Sequence, residues 1–109
     1  FPTWLAPVQV RVLPITDRHQ EYAAKVVAEL EEAGIRTETD NRSEKIGYKI
    51  REGQMQKIPY LLIVGDKESE TGSVAVRHRK QGDQGAVLLA DFIKSIKQEI
   101  KEKSTNTGN

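Results

Sequence analysis

Arg51, Glu68 and Arg77 are the residues through which this sequence says most about chemistry. A guanidinium carries a fork of N–H donors that matches the two acceptors on a guanine edge, and a carboxylate accepts from exposed base N–H groups. If the three side chains converge, they form a donor–acceptor set suited to unpaired RNA bases, whose edges are splayed from the stack. Lys45, Lys49 and Arg79 would be candidate partners for phosphates beside them. A plainer reading stands next to each. Strands and helices display arginine and lysine for solubility, and a turn carboxylate such as Glu68 can make a weak ion pair with Lys67 or a neighbouring arginine, worth about 0–1 kcal/mol.

Other chemistries find little support. With no cysteine, disulfides, thiolate nucleophiles and cysteine-bound zinc or iron–sulfur sites are excluded. His19 and His78, the only histidines, stand in no metal-ligand spacing. No G-x-S-x-G elbow is present. Gly82-Asp83-Gln84-Gly85 lacks the Lys-Ser/Thr of a phosphate-binding loop, and no G-x-G-x-x-G follows the first strand. Asp66, Glu68 and Glu70 lack the rest of a calcium pattern and suit a solvated turn. The expectation is a chain without catalytic residues, metal ligands or a cofactor of its own.

Composition narrows the partners. A length of 109 residues suits one domain with one core. The charged fraction is 30%, yet the net charge is only +1, so an anion site must come from local clustering of cations. No run approaches the ~20 apolar residues of a membrane span, and no membrane partner is expected. Residues 1–7, Phe1-Pro2-Thr3-Trp4-Leu5-Ala6-Pro7, have neither the basic start nor the apolar core of a signal peptide. They suit a stiff linker from a preceding domain. The absence of cysteine is permissive of the cytoplasm, the expected location.

The elements that must position these residues follow from periodicity. Val8 to Leu13 alternates, with Val8, Val10 and Val12 on an apolar face, and Pro14 ends the strand. Thr16 or Asp17 caps a helix whose Tyr22, Ala23, Val26, Val27 and Leu30 share a face, and Gly34 stops it. Ile35 to Asp40 reads as a more polar strand nearer an edge. Ser43 is the expected cap of a second, basic helix with Ile46, Ile50 and, at its end, Met55 on a narrow apolar stripe. Pro59 to Val64 is nearly all apolar, as a strand covered on both faces must be. Gly65 to Glu68 breaks it. Ser73 to Arg79 alternates with Val74 and Val76 on one face and Arg77 and Arg79 on the other. Gly82 to Gly85 reads as a turn. Leu89, Phe92, Ile93, Ile96 and Ile100 mark a last amphipathic helix, and residues 104–109 read as a disordered tail. The order β-α-β-α-β-β-α predicts an α/β fold with parallel crossovers and one antiparallel step.

Phe1 through Val10, Glu44-Lys45-Ile46-Gly47-Tyr48-Lys49-Ile50-Arg51, Pro59-Tyr60, Val64-Gly65-Asp66-Lys67-Glu68, Val74-Ala75-Val76-Arg77 and Gly82-Asp83 together resemble the C-terminal anticodon-binding domain of bacterial threonyl-tRNA synthetases, class II aminoacyl-tRNA synthetases. The similarity spans nearly the whole chain apart from the tail. It implies a three-layer fold over residues 8–103, with a mixed, mainly parallel five-stranded sheet flanked by three helices. The fifth strand would then lie near Gly85 to Val87 or in the N-terminal segment. It also implies binding of the anticodon stem-loop of threonine tRNA, through its second and third anticodon bases. Arg51, Glu68 and Arg77 fall where that family contacts bases. The family often has asparagine where this chain has Ser43; serine offers a hydroxyl in place of the amide and keeps the helix-capping role. By the same resemblance, the parent enzyme would be a homodimer using ATP, magnesium and zinc in segments outside this chain. The chain itself would be a non-catalytic monomer. A rival reading is a protein-interaction or dimerisation module of the same fold, using the apolar surface around Phe1, Trp4 and Leu5.

Overall fold

The computed structural model describes residues 8–40 and 44–107, with 103–107 as backbone only. The expected linker 1–7, with Phe1, Trp4 and Leu5, and the expected cap Ser43 lie outside the described residues. In chain order the elements are β1 (Val10–Pro14), a 3-10 turn at Asp17–His19, α1 (Gln20–Glu32), β2 (Thr37–Thr39), α2 (Ile46–Met55), β3 (Tyr60–Val64), α3 (Asp66–Thr71), β4 (Ser73–His78), β5 (Gly82–Leu88) and α4 (Leu89–Thr107).

The strands form one sheet in the order β2-β1-β3-β4-β5. β1 runs parallel to β2 and β3, while β4 runs antiparallel to β3 and β5. The expected mixed five-stranded sheet is present, but its pairings divide evenly instead of being mainly parallel. The cause is connection length. β3 reaches β4 through the short α3, and β4 reaches β5 through a tight turn, and neither link is long enough for a parallel crossover. β1 is the switch point: α1 leads from it to β2, and α2 leads back past it to β3. Right-handed crossovers in opposite directions place their helices on opposite faces of the sheet.

The core is accordingly split. Val10, Val12, Leu62, Val64, Val74 and Val76 face α1 and α4, meeting Ala23, Val26, Leu30, Phe92 and Ile96. Alternate residues Leu13 and Leu61 face α2, where they cluster with Ile58 against Ile46, Ile50 and Ile63. Because β1 lies inside the sheet with helices on both sides, all five of its residues are buried, polar Arg11 included. The alternation in its sequence does not mean an open face.

Three local expectations change. Gly65 to Glu68 does not simply break β3; it opens α3, a fourth helix whose residues are all solvent-facing or half-buried and so carry no apolar periodicity. Gly82 to Gly85 is the first half of β5, not a turn. The turn falls just before it, and Gly82 and Gly85 take φ of +75° and +79° within the strand. Residues 104–107, expected in a disordered tail, continue α4; 108–109 lie outside the described residues. Among the described residues no helix is long and apolar enough to cross a membrane.

Candidate nucleic-acid interface

Sheet register sets one rung across all five strands: Glu38, Arg11, Leu61, Arg77 and Asp83 are successive neighbours. Leu61 belongs to the cluster under α2, so this rung lies on the α2 face. The helix sits tightly on it at Gly53. A Cβ there would come within 2.7 Å of Leu61 Cδ2, which is why a residue that weakens helices stands in the middle of α2. An arginine flanks Leu61 on either side.

The two arginines differ in their partners. Arg11 Nη2 is 3.3 Å from Glu38 Oε2, and the same group donates to Gln56 Oε1 at the end of α2. Arg77 is half-buried and makes no hydrogen bond or ion pair among the described residues; in both arginines the buried Nε–H lacks an acceptor, so the difference lies in the terminal nitrogens. An orphaned buried donor of this kind costs about 1–3 kcal/mol. Asp83, its neighbour on β5, uses Oδ1 for the Gly85 N–H at 2.8 Å. The register passes from Val76–Gly85 to Arg77–Asp83, so a β-bulge at Gln84 in β5 lies beside Arg77. Two residues on, Arg79 Nη1 donates to Lys57 O at 3.4 Å.

Arg51 lies on the solvent side of α2, opposite Ile46, Ile50 and Gly53, and likewise has no partner among the described residues. Glu68 stands on α3, where its Oε1 accepts the Gly65 N–H at 2.8 Å and leaves Oε2 without a partner. Gly65 is four residues beyond Leu61 along β3, about 13 Å at the strand rise. The three residues therefore do not form one contacting set. Arg77 lies on the α2 face of the sheet, Arg51 on the outside of the helix covering that face, and Glu68 at the C-terminal end of β3.

Lys45 is exposed at the start of α2, as a phosphate contact requires. Lys49 is not. Only 3% of it is accessible, and its ammonium donates to Pro14 O at 3.3 Å and Asp40 O at 3.2 Å. The expectation that Lys49 faces phosphate gives way to a structural role. In helical spacing it shares the inward face with Ile46, Ile50 and Gly53, whereas Met55, expected on that stripe, is exposed; Lys49 closes carbonyls at the ends of β1 and β2 that the sheet leaves open.

Two further features depend on the fold. Lys57 is the one non-glycine residue among those described with positive φ, at 59°, just past the end of α2 where glycine is usual. Its exposed cation stands beside Arg79, which bonds its carbonyl. The second is a buried histidine. Thr16 N–H donates to His19 Nδ1 at 3.2 Å, so the hydrogen lies on Nε2, which donates to Asp66 Oδ1 at 2.7 Å. Arg18 Nη2 meets Asp66 Oδ2 at 2.8 Å. The hydrogen bond from His19, and then the charge of Arg18, hold the Asp66 carboxyl below its usual range against some desolvation. This cluster fills the crevice at the C-terminal ends of β1 and β3, where open α/β sheets often bind ligands, and anchors α3 with Glu68 on it. The capping pattern Thr16-x-x-His19 was its only sequence signal. Among the described residues no three His, Asp or Glu side chains group as a metal site would need.

The family profile described as "Anticodon binding domain" matches residues 9–99. The chain belongs to the anticodon binding domain family. It is 72% identical over 94% of its length to a threonine--tRNA ligase of Syntrophomonas wolfei, of which it spans 16%. Among solved structures it is similar to the RNA binding domain of threonyl-tRNA synthetase from Cryptosporidium parvum, with a TM-score of 0.84, 31% identity and coverage of 90% of this chain and 25% of that one. Histidyl-tRNA synthetase from Nostoc has the same architecture, with a TM-score of 0.80, 26% identity and coverage of 87% of this chain and 23% of that one. Exposed cations, an arginine without partners and a half-used carboxylate are thus spread over α2, the α2 face of β4 and the C-terminal end of β3.

Proposed function

We propose that this chain is the anticodon-binding part of a threonine--tRNA ligase and binds the anticodon stem-loop of threonine tRNA. The observation that carries the reading is Arg77: a half-buried guanidinium on the α2 face of the sheet that, unlike Arg11, has no acceptor for any of its N–H groups among the described residues. A guanine edge supplies the acceptors it lacks. Arg51 and the open oxygen of Glu68 address base edges from the helix and from the strand end. Lys45 at the start of α2, and Arg79 with Lys57 beyond its other end, meet phosphates and give the salt-dependent share of affinity. The second and third anticodon bases, G and U, are the ones read. Amino-acid activation with ATP, magnesium and zinc belongs to segments of the parent enzyme outside this chain. That parent is a cytoplasmic homodimer, and this chain alone is a monomer that binds without catalysing.

The test is a titration of this chain with labelled anticodon stem-loops differing in those two bases, at two salt concentrations. Binding should favour the threonine anticodon at both. Arg77→Ala should lose roughly 1–3 kcal/mol of binding and relax the base preference. Equal affinity for every anticodon in the wild type, or for wild type and mutant, would reject base reading through Arg77.

A further inference from the structure

Helix α2 covers only part of its face of the sheet. It packs on β1 and β3 over Leu13 and Leu61, and among the described residues none from β4 or β5 joins the apolar cluster beneath it. The other face of those two strands is closed, because Val74, Val76 and Val87 pack with Phe92 of α4. Their alternate residues stand in the open beside α2. Register puts Ile63, Ala75 and Ala86 side by side on one rung there, with Leu88 two residues farther along β5. Ile63 and Ala75 are half-buried, Ala86 is exposed, and Leu88 is 53% exposed. Ile15, 42% exposed just past β1, extends this apolar floor. Groups with unused hydrogen-bonding capacity stand at its two ends. Arg77 is two residues from Ala75 along β4. At the opposite end Gly65 is two residues from Ile63, and a Cβ on it would lie 2.7 Å from Ile15 Cδ1 and 3.1 Å from Glu68 Oε1. Glu68 and Ile15 therefore come together on the α2 face where β3 ends.

A hydrocarbon floor with a donor at one end and an acceptor at the other suits unpaired bases lying flat, their ring faces on the sheet and their edges at the rim. Two alanines side by side leave room for a ring to approach the strands. A base is uncharged, so the carboxylates of Asp83 and Glu68 on the rim do not oppose it as they would a bare phosphate. Five side chains, two of them alanine, offer far less than the ~800 Å² per partner of a stable protein interface. An apolar side chain from a protein would also cover Arg77 and Glu68 without answering either. The rungs at the two ends are about 13 Å apart, too far for one base to meet both groups. We infer that Ile15, Ile63, Ala75, Ala86 and Leu88 form the floor for two neighbouring anticodon bases, one with its edge toward Arg77 and the other toward Glu68. This rests on the function proposed above.

The experiment follows the methyl signals of this chain, isotope-labelled at Ala, Ile, Leu and Val, during titration with the threonine anticodon stem-loop. A second titration uses the same stem-loop without its second and third anticodon bases. Ring currents from the intact loop should move the methyls of Ile15, Ile63, Ala75, Ala86 and Leu88. Those of Val27, Ile93 and Ile100, which pack in the core on the opposite face, should stay in place. The abasic loop should leave both sets unmoved. Leu88→Ala should bind the intact loop about fivefold more weakly, from the loss of apolar surface that a base would cover, and the abasic loop within about twofold of wild type. If wild type keeps its anticodon preference while the floor methyls stay still, or move equally with the abasic loop, the floor is overturned and the anticodon reading stands. Equal binding of the intact loop by Leu88→Ala and wild type also overturns it. Wild type showing no preference among anticodons would overturn both.

Discussion

Arg11 and Arg77 occupy the same rung of the sheet, one on each side of Leu61, and each has a buried Nε–H without an acceptor, but their terminal nitrogens have opposite fates. Arg11 sits on the innermost parallel strand with 6% of its surface accessible, its guanidinium held between Glu38 and Gln56. Arg77 sits one strand from the edge, half-buried, with its cross-strand carboxylate already turned to Gly85. The residue type and the rung are the same; the neighbours decide. Where adjacent strands and helix supply acceptors, a buried cation is part of the scaffold. Where they do not, the same group keeps its hydrogen-bonding capacity for something that arrives from outside.

The sharpest way to break this contrast is to move a cation from one class to the other. Lys49 belongs with Arg11: its ammonium is used by Pro14 O and Asp40 O. Lys49→Ala should destabilise the fold by about 3 kcal/mol in denaturant titrations, since it leaves two buried carbonyls without a donor and a void beside α2. Lys49→Met, which keeps the apolar stem, should recover part of that loss. Lys45→Ala should leave stability within about 0.5 kcal/mol and lower the salt slope of RNA binding by about one. A folded Lys49→Ala with a reduced salt slope and unchanged stability would return Lys49 to the surface.

The paired arginines give the next test. Arg11→Ala should cost about 2–3 kcal/mol of folding stability, the value of charge-assisted hydrogen bonds lost from a buried site. Arg77→Ala removes an unsatisfied donor, so its stability should change by less than about 1 kcal/mol while RNA binding falls. Equal destabilisation by the two substitutions would mean that Arg77 is scaffold as well.

How far the sequence reveals this division depends on the range of the interactions involved. Apolar alternation in Val10 and Val12, the unbroken run from Tyr60 to Val64 and the helical spacing of Val26 and Leu30 are local signals, and the layers follow from them. Arg77 was legible as an outlying charge on an otherwise hidden strand. Lys49 was not, because charge predicts exposure and only the ends of β1 and β2 explain why an ammonium belongs inside. Arg11 was hidden for the same reason, its acceptors lying on β2 and α2. α3 left no trace because a helix with no buried residue has no period to detect. Glu68 was legible as a carboxylate, but its placement at the far end of β3 from Arg77 depends on register, which no single strand carries.

The smallest expected effect concerns the carboxylates, where the same contrast recurs between Asp66 and Glu68. Both belong to the first turn of α3; Asp66 is bonded by His19 and Arg18 on its two oxygens, whereas Glu68 gives one oxygen to Gly65 and keeps the other. Because the folded state depresses the Asp66 pKa, its ionised form stabilises the fold above the ordinary value of 3.8, and that contribution is lost as pH falls through the lower folded value. Wild type should therefore be more stable than Asp66→Asn near neutral pH, with the gap closing below pH 3.8. Asp66 is well exposed, so the gap should be modest and should shrink with added salt. Glu68→Gln retains an acceptor for the Gly65 N–H and should leave both stability and its acid limb close to wild type, while weakening discrimination among anticodon stem-loops. A pH-independent gap for Asp66→Asn would show that its ionisation does not anchor α3, and a Glu68→Gln variant that loses stability but not discrimination would place Glu68 with the scaffold.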